Sequence, residues 1–199
     1  MLPLRAIFPA LLSDIRACQI CAAHLPHSPR PVLRAKTTAR IVIAGQAPGT
    51  RVHESGMPFT DPSGDRLREW MGVDSHVFYD DKSIAIVPMG FCFPGLDAKG
   101  ADLPPRKECA LAWRKKVFAE LKAVKLTLLV GSYAQAWHLQ ARRKKTLSET
   151  VRAWREYGPQ FVPLPHPSWR NNVWLKKNPW MEEELLPHLR RRISRILKG

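Results

Sequence analysis

The sequence, 199 residues long, has no extended hydrophobic run. No apolar stretch approaches the roughly 20 residues that a membrane-spanning helix requires, so no membrane partner is expected. A secretory pattern is missing as well. Met1-Leu2-Pro3-Leu4-Arg5 is only briefly apolar, and Asp14 and Arg16 interrupt it before a small-residue cleavage site. A cytoplasmic protein is expected. Cysteine is scarce, with four residues, and disulfides are disfavoured in that compartment. Acidic residues are few: 17 Asp and Glu stand against 32 Lys and Arg, a formal charge of +15. Such an excess argues against a neutral metabolite and for a polyanionic partner. No internal repeat and no convincing boundary divide the chain, which reads as one domain over residues 1–199.

The positive charge is partly concentrated in Arg142-Arg143-Lys144-Lys145 and Arg190-Arg191-Arg192. Aromatic residues mix with arginine at Trp169, Arg170 and Trp174. Aromatic faces stack on bases while cations follow phosphates, so nucleic acid is favoured over a membrane surface.

Apolar spacing predicts a helix over 4–23, carried by Leu4, Phe8, Leu11, Leu12 and Ile15. A Pro-rich extended link follows from Pro26 to Pro31. Strands are expected at 41–44, 84–87, 126–131 and 161–164. Helices are expected at 64–71 with Ser63 as N-cap, at 106–122, and from Ser132 to about Leu139. Another is expected over 146–155, with Thr146 or Ser148 as cap. The tail places Leu185, Leu186, Leu189, Ile193, Ile196 and Leu197 on one helical face. Strands alternating with helices predict an α/β fold: a three-layer αβα sandwich around a central, mostly parallel four-stranded sheet.

The four cysteines are Cys18, Cys21, Cys92 and Cys109. The first two form Cys-x-x-Cys, and the others flank the Gly/Pro-rich loop between them, which can fold back to close a site. Four thiolates suit zinc or an iron–sulfur cluster, and the spacing does not choose between them.

Two segments carry the chemistry. Gly45-Gln46-Ala47-Pro48-Gly49 follows the strand at 41–44, and Pro58-Phe59-Thr60-Asp61-Pro62-Ser63-Gly64 comes soon after. His166-Pro167-Ser168 follows the extended stretch 161–165. Strand ends bearing Gly, Pro and a lone His are where an open α/β sheet places a ligand pocket.

In the order and spacing of these motifs the chain resembles the uracil-DNA glycosylase superfamily. It looks closest to the bacterial and archaeal thermostable branch that carries a 4Fe–4S cluster. Gly45 to Gly49, Gly56-Met57-Pro58-Phe59, His166-Pro167 and the four cysteines match that plan over nearly the whole chain. The resemblance implies hydrolysis of the N-glycosidic bond of a uracil flipped out of DNA. It implies that Gly45, Ala47, Pro48 and Gly49 line the pocket with backbone, and that Gln46 contacts the base or a water. Phe59 would stack on the base, and His166 would donate a hydrogen bond to the carbonyl where negative charge builds. Ser63, Gly64 and Ser168 would hold phosphates, and Trp169, Arg170 and Asn171 would lie on the loop that enters the helix. Cys18, Cys21, Cys92 and Cys109 would hold a structural 4Fe–4S cluster, with zinc as the alternative. A monomer acting on DNA is expected. No Lys lies within the matched motifs to form a Schiff base, which predicts a monofunctional enzyme.

Two departures stand out. Gln46 and Ala47 occupy the positions where relatives carry a catalytic carboxylate, which leaves Asp61 as the substitute, with His53 and Glu54 behind it. Pro88 occupies the position of the usual base-reading Asn, which leaves the backbone around Met89 and Gly90 to do that work. A glycosylase for another deaminated base such as hypoxanthine is therefore an alternative. So is a nucleic-acid-binding module of the same fold without catalysis. A small-molecule hydrolase or a redox protein fits the charge less well.

Overall fold

Four parallel strands form the middle layer: β1 (Ile41–Ala44), β2 (Ile84–Ile86), β3 (Leu126–Val130) and β4 (Phe161–Leu164), in the order β2-β1-β3-β4. The computed structural model describes residues 7–199. Except for Phe161, every strand residue is buried. This explains the unbroken apolar runs, because a sheet covered on both faces needs no polar alternation.

Around the sheet lie α1 (Ile7–Arg16), α2 (Thr50–Ser55), α3 (Pro62–Met71), α4 (Ser75–Phe78) and α5 (Lys107–Cys109). They are followed by α6 (Lys115–Glu120), α7 (Ser132–Leu139), α8 (Leu147–Arg152), α9 (Asn172–Lys177) and α10 (Leu186–Lys198). One face of the sheet presents Ile41, Ile43, Ile84, Ile86 and Leu128. It packs on Leu67 and Met71 of α3 and on Leu186, Leu189 and Ile193 of α10. The other presents Val42 and Ala85 to Phe8 and Ile15 of α1 and Val117 of α6. On that same face Leu129 meets Ala134 and Leu139 of α7. The architecture is the expected three-layer α/β sandwich.

Both edges of the sheet are blunted. Pro163 sits in edge strand β4, where a missing N–H does no harm. Along β2, the backbone of Arg34 exchanges two hydrogen bonds with Ile86, at 3.0 and 2.7 Å, and covers that edge. No helix among the described residues is long and apolar enough to cross a membrane.

Several boundaries differ from expectation. The first helix stops at Arg16, before either of its cysteines; its start before residue 7 lies outside the described residues. The cap of α3 is Asp61, whose carboxylate accepts from Gly64 N–H at 3.3 Å, and not Ser63. Gly131, not Ser132, precedes α7, and it needs its φ of 85°. Thr146 caps α8 in a reciprocal pair with Glu149, while Ser148 instead accepts a bond from the Trp174 indole. The helix expected over 106–122 comprises α5, a π turn at Ala110–Arg114, and α6. The short α2, α4 and α9 carried no clear periodicity.

β1 has β2 on one side and β3 on the other, so the chain leaves its carboxyl end toward both flanks. A crevice opens there.

Candidate active site

That crevice holds two adjoining cavities of about 420 and 430 Å³. Both are lined by Asp61, Ser63, Asp102, His166 and Trp169. Gly45, Pro48, Gly49, Phe59 and Pro88 complete the first, and Gln46, Ser168, Arg170 and Asn171 the second. Segments far apart in sequence thus meet as their spacing predicted. Two expected residues line neither cavity. Ala47 is one. Gly64 is the other, and its N–H is committed to Asp61; it packs against Phe59, where a Cβ would meet the Phe59 carbonyl oxygen at 1.9 Å. Gly64 serves close approach, not an open phosphate.

Phe59 is held in an unusual way. Its φ is 58°, a left-handed conformation that a bulky residue rarely adopts. The Tyr79 hydroxyl donates to its carbonyl at 2.9 Å and Arg68 Nη1 donates at 3.3 Å. Its ring lies against Gly45, where an added Cβ would approach Cζ to 3.4 Å, and meets Phe78 edge-on at 6.0 Å. The aromatic wall of the cavity is therefore fixed in place before any ligand arrives.

Opposite stands His166. Burial lowers its pKa, while the neighbouring charges of Asp61 and Asp102 act in the other direction. The imidazole is neutral near pH 7 and can donate one hydrogen bond without carrying charge. Asp102 is the residue that motif reading missed. It sits on the open rim of the cavities, beside Gly49, where an added Cβ would lie 3.5 Å from its Oδ2. Partial burial raises its pKa, His166 and Arg170 pull it back, and Asp61 raises it further. A carboxyl raised in this way is a better proton acceptor than an ordinary one. A signal for Asp102 existed in the turn before it. Asp97 accepts from the N–H groups of Lys99 and Ala101, both at 2.8 Å, and Gly100 has φ 73°. The turn folds back so that Leu96 pairs with Asp102.

The loop after His166 is braced from within. Asn171 Nδ2 donates to the His166 carbonyl at 2.7 Å, and Arg66 Nη1 donates to the Ser168 carbonyl at 3.0 Å. Asn171 is therefore a brace of the loop, and Arg66 is a second residue for which the sequence held no signal. Trp169 projects from this loop, 72% exposed.

Behind Pro88 lies Arg114, buried in the π turn. Its guanidinium donates to the carbonyls of Val87 and Pro88 at 3.3 and 2.9 Å. It also donates to Nε2 of His138 from Nε, at 3.0 Å, and from Nη2, at 2.7 Å. The N–H groups of Met89 and Gly90 donate to the carbonyls of Gly45 and Gln46, both at 3.0 Å. Those two donors are therefore engaged within the protein, which leaves the carbonyls of Met89 and Gly90 as the backbone groups there. His53 and Glu54 also stand apart. His53 stacks on His27 at 4.9 Å, and the Glu54 carbonyl accepts from Arg30.

The cysteines meet in a separate small cavity of about 20 Å³, lined by Cys18, Cys21, Cys92 and Cys109 with Ile15, Arg106 and Trp113 among its walls. Trp113 Nε1 lies 3.3 Å from Cys18 Sγ and Phe91 N–H lies 3.3 Å from Cys109 Sγ. Burial pushes the Cys92 thiol up to about 11 and the Cys109 thiol up to about 12. Among the described residues no three His, Cys, Asp or Glu side chains close into a metal-ligand set. The donor chemistry nevertheless fits a thiolate-held metal, since four sulfurs face one space and N–H groups point at two of them. The space as built has room for about one water-sized body. The sulfurs must draw together to hold a single ion, and a four-iron cluster requires the walls to spread.

Compared with known families, residues 33–190 match the family described as the Uracil DNA glycosylase superfamily. Cys92 and Cys109 lie inside the matched region, and Cys18 and Cys21 precede it.

Proposed function

From its membership of the uracil DNA glycosylase superfamily, we propose that this chain hydrolyses the N-glycosidic bond of uracil, or a related deaminated base, flipped out of DNA. The observation that carries the reading is the meeting of His166, Asp61, Asp102 and Phe59 in the lining of one crevice. Breaking the bond leaves cationic character on the sugar and negative charge on the base. Asp102 accepts a proton from the attacking water, and its carboxylate and that of Asp61 stabilise the cationic sugar. Neutral His166 donates a hydrogen bond to the base carbonyl as its charge grows. The products are the free base and an abasic sugar. Phe59 stacks on the extruded base, and exposed Trp169 fills the gap left in the helix, with Arg170 and Ser168 on adjacent phosphates.

The absent Asn favours a broad range of bases. Pro88 has no side-chain donor or acceptor, and the neighbouring N–H groups are engaged. A site without paired hydrogen bonds to the base edge discriminates weakly. The expected result is release of hypoxanthine as well as uracil, leaving alkali-labile sites. Duplex and single-stranded oligonucleotides carrying one uracil, hypoxanthine or xanthine test this. Release of uracil alone contradicts the broad reading, and release of nothing contradicts the enzyme reading in favour of a binding module.

We further propose that Cys18, Cys21, Cys92 and Cys109 hold one structural metal centre. A bound metal lowers thiol pKa values far enough to ionise them. Iron and zinc analysis of the purified protein distinguishes a 4Fe–4S cluster from zinc.

A further inference from the structure

Another hollow, about 660 Å³, opens where the amino end of β4 meets α10. It shares no residue with the cavities at the carboxyl ends of the strands. Arg155, His188, Arg191, Arg192 and Arg195 line it, with Glu183 and Glu184 on its wall. On α10 these positions recur at helical spacing beside the buried Leu189, Ile193 and Ile196. Arg191 and Arg195 are one turn apart, where like charges repel.

Only part of this charge is compensated among the described residues. Glu184 is engaged by Arg152 at 3.4 Å and Arg155 at 2.9 Å, and among the described residues no carboxylate pairs with Arg191, Arg192 or Arg195. The hydrogen bond of Arg192 goes to the Lys125 carbonyl, at 3.5 Å. Burial lowers the pKa of His188, and the charges of Arg192, Arg191, Arg155 and Arg195 lower it further. In the wall, Trp154 is 4% exposed and its indole N–H has no partner. Arg155 lies over its ring at 4.2 Å, and the tilted His188 ring lies 4.7 Å away.

We propose that this hollow is a second DNA-contact surface, holding backbone phosphates away from the catalytic crevice. Guanidinium forks match phosphate oxygens. Trp154 is almost fully buried, so no base stacks on it, and none of the exposed large apolar side chains among the described residues lines the hollow to anchor a protein. The chemistry fits a uniformly charged backbone read without sequence preference. The proposal rests on the DNA-binding part of the function proposed above and not on base release.

The test uses uracil-free duplex, so it reads out even if no base is ever released. Binding of a short and a longer labelled duplex is followed by anisotropy across a salt series for the parent, Arg191→Gln/Arg195→Gln, and Arg170→Gln as a crevice control. Each phosphate contact contributes about 0.9 to the slope of log affinity against log salt. The double variant is expected to lose roughly 1 to 2 from that slope on the longer duplex, with a binding loss of roughly tenfold. Its loss on the short duplex should be smaller. The single variant Arg195→Glu, at an exposed position, should weaken long-duplex binding with unchanged melting temperature. Unchanged slope and affinity in both variants, with Arg170→Gln still weakened, overturns the proposal while leaving DNA binding in place. Poly-glutamate that binds the parent as tightly as the longer duplex, and loses that binding in the double variant, also overturns it by assigning the hollow to an acidic protein.

Discussion

The two ends of the loop 90–105 serve opposite kinds of site. Near its end, Asp102 joins an open crevice in which burial raises the Asp102 pKa and lowers that of His166. At its start, Cys92 faces a closed apolar cavity with thiols pushed to about 11 and about 12. The first arrangement suits proton transfer. The second suits a bond that locks distant segments together, because a thiol this buried is inert until a metal ionises it. With Cys92 at the start of the loop and Cys109 just after it, a metal held by the thiols would anchor the segment that carries Asp102. Anchor and chemistry are neighbours in sequence, yet they should respond to mutation in different ways.

The largest effect is expected at His166. The imidazole acts on charge that exists mainly in the transition state, so His166→Ala should lower single-turnover base release about 100- to 1000-fold. DNA binding should change far less. Release at the parent rate would remove His166 from the chemistry.

Replacing a thiol should move stability first. Cys109→Ala is expected to lose the bound metal and lower the melting temperature, with release slowed less than in His166→Ala. Thiols in the native parent that label freely would contradict the anchor.

A smaller effect is expected from acid. Nε2 of His138 accepts from Arg114, so the ring must be neutral there. Burial, then the Arg114 charge, pushes its pKa from 6.5 down to about 3. Below 6.5 the unfolded chain takes up a proton that the folded chain refuses. Stability is therefore complete above that pH and falls as pH drops toward 3. Arg114 also holds the Val87 and Pro88 carbonyls, so the crevice wall loosens with it. His138→Gln keeps an acceptor that does not titrate and should flatten melting temperature against pH in this window. Parallel curves for parent and variant would contradict the assignment.

The sheet was legible because burial on both faces leaves unbroken runs such as Leu126 to Val130. The crevice was legible where local geometry restricts residue type, as at Gly45 and His166. Asp102 was not, since it belongs to no motif and the Asp97 to Gly100 turn marks a chain reversal without naming the residue it delivers. Arg66 and Arg114 were hidden for a related reason: their partners are carbonyls, which carry no residue signature. Ser63 looked like the cap of α3, but Asp61 fills that place while also lining the crevice.

Asp61 and Asp102 are the two carboxylates of the crevice proposed to stand in for the missing motif acid, and they differ in commitment. Asp61 accepts the cap hydrogen bond from Gly64, whereas Asp102 carries the raised pKa. The most direct measurement is single-turnover uracil release against pH for the parent, Asp102→Asn and Asp61→Asn, with enzyme in excess. Asp102→Asn is predicted to lose about 100-fold or more and the acid limb of the profile, as removal of a general base does. Asp61→Asn should lose less and keep that limb. An Asp102→Asn protein that matches the parent in rate and profile would contradict the account.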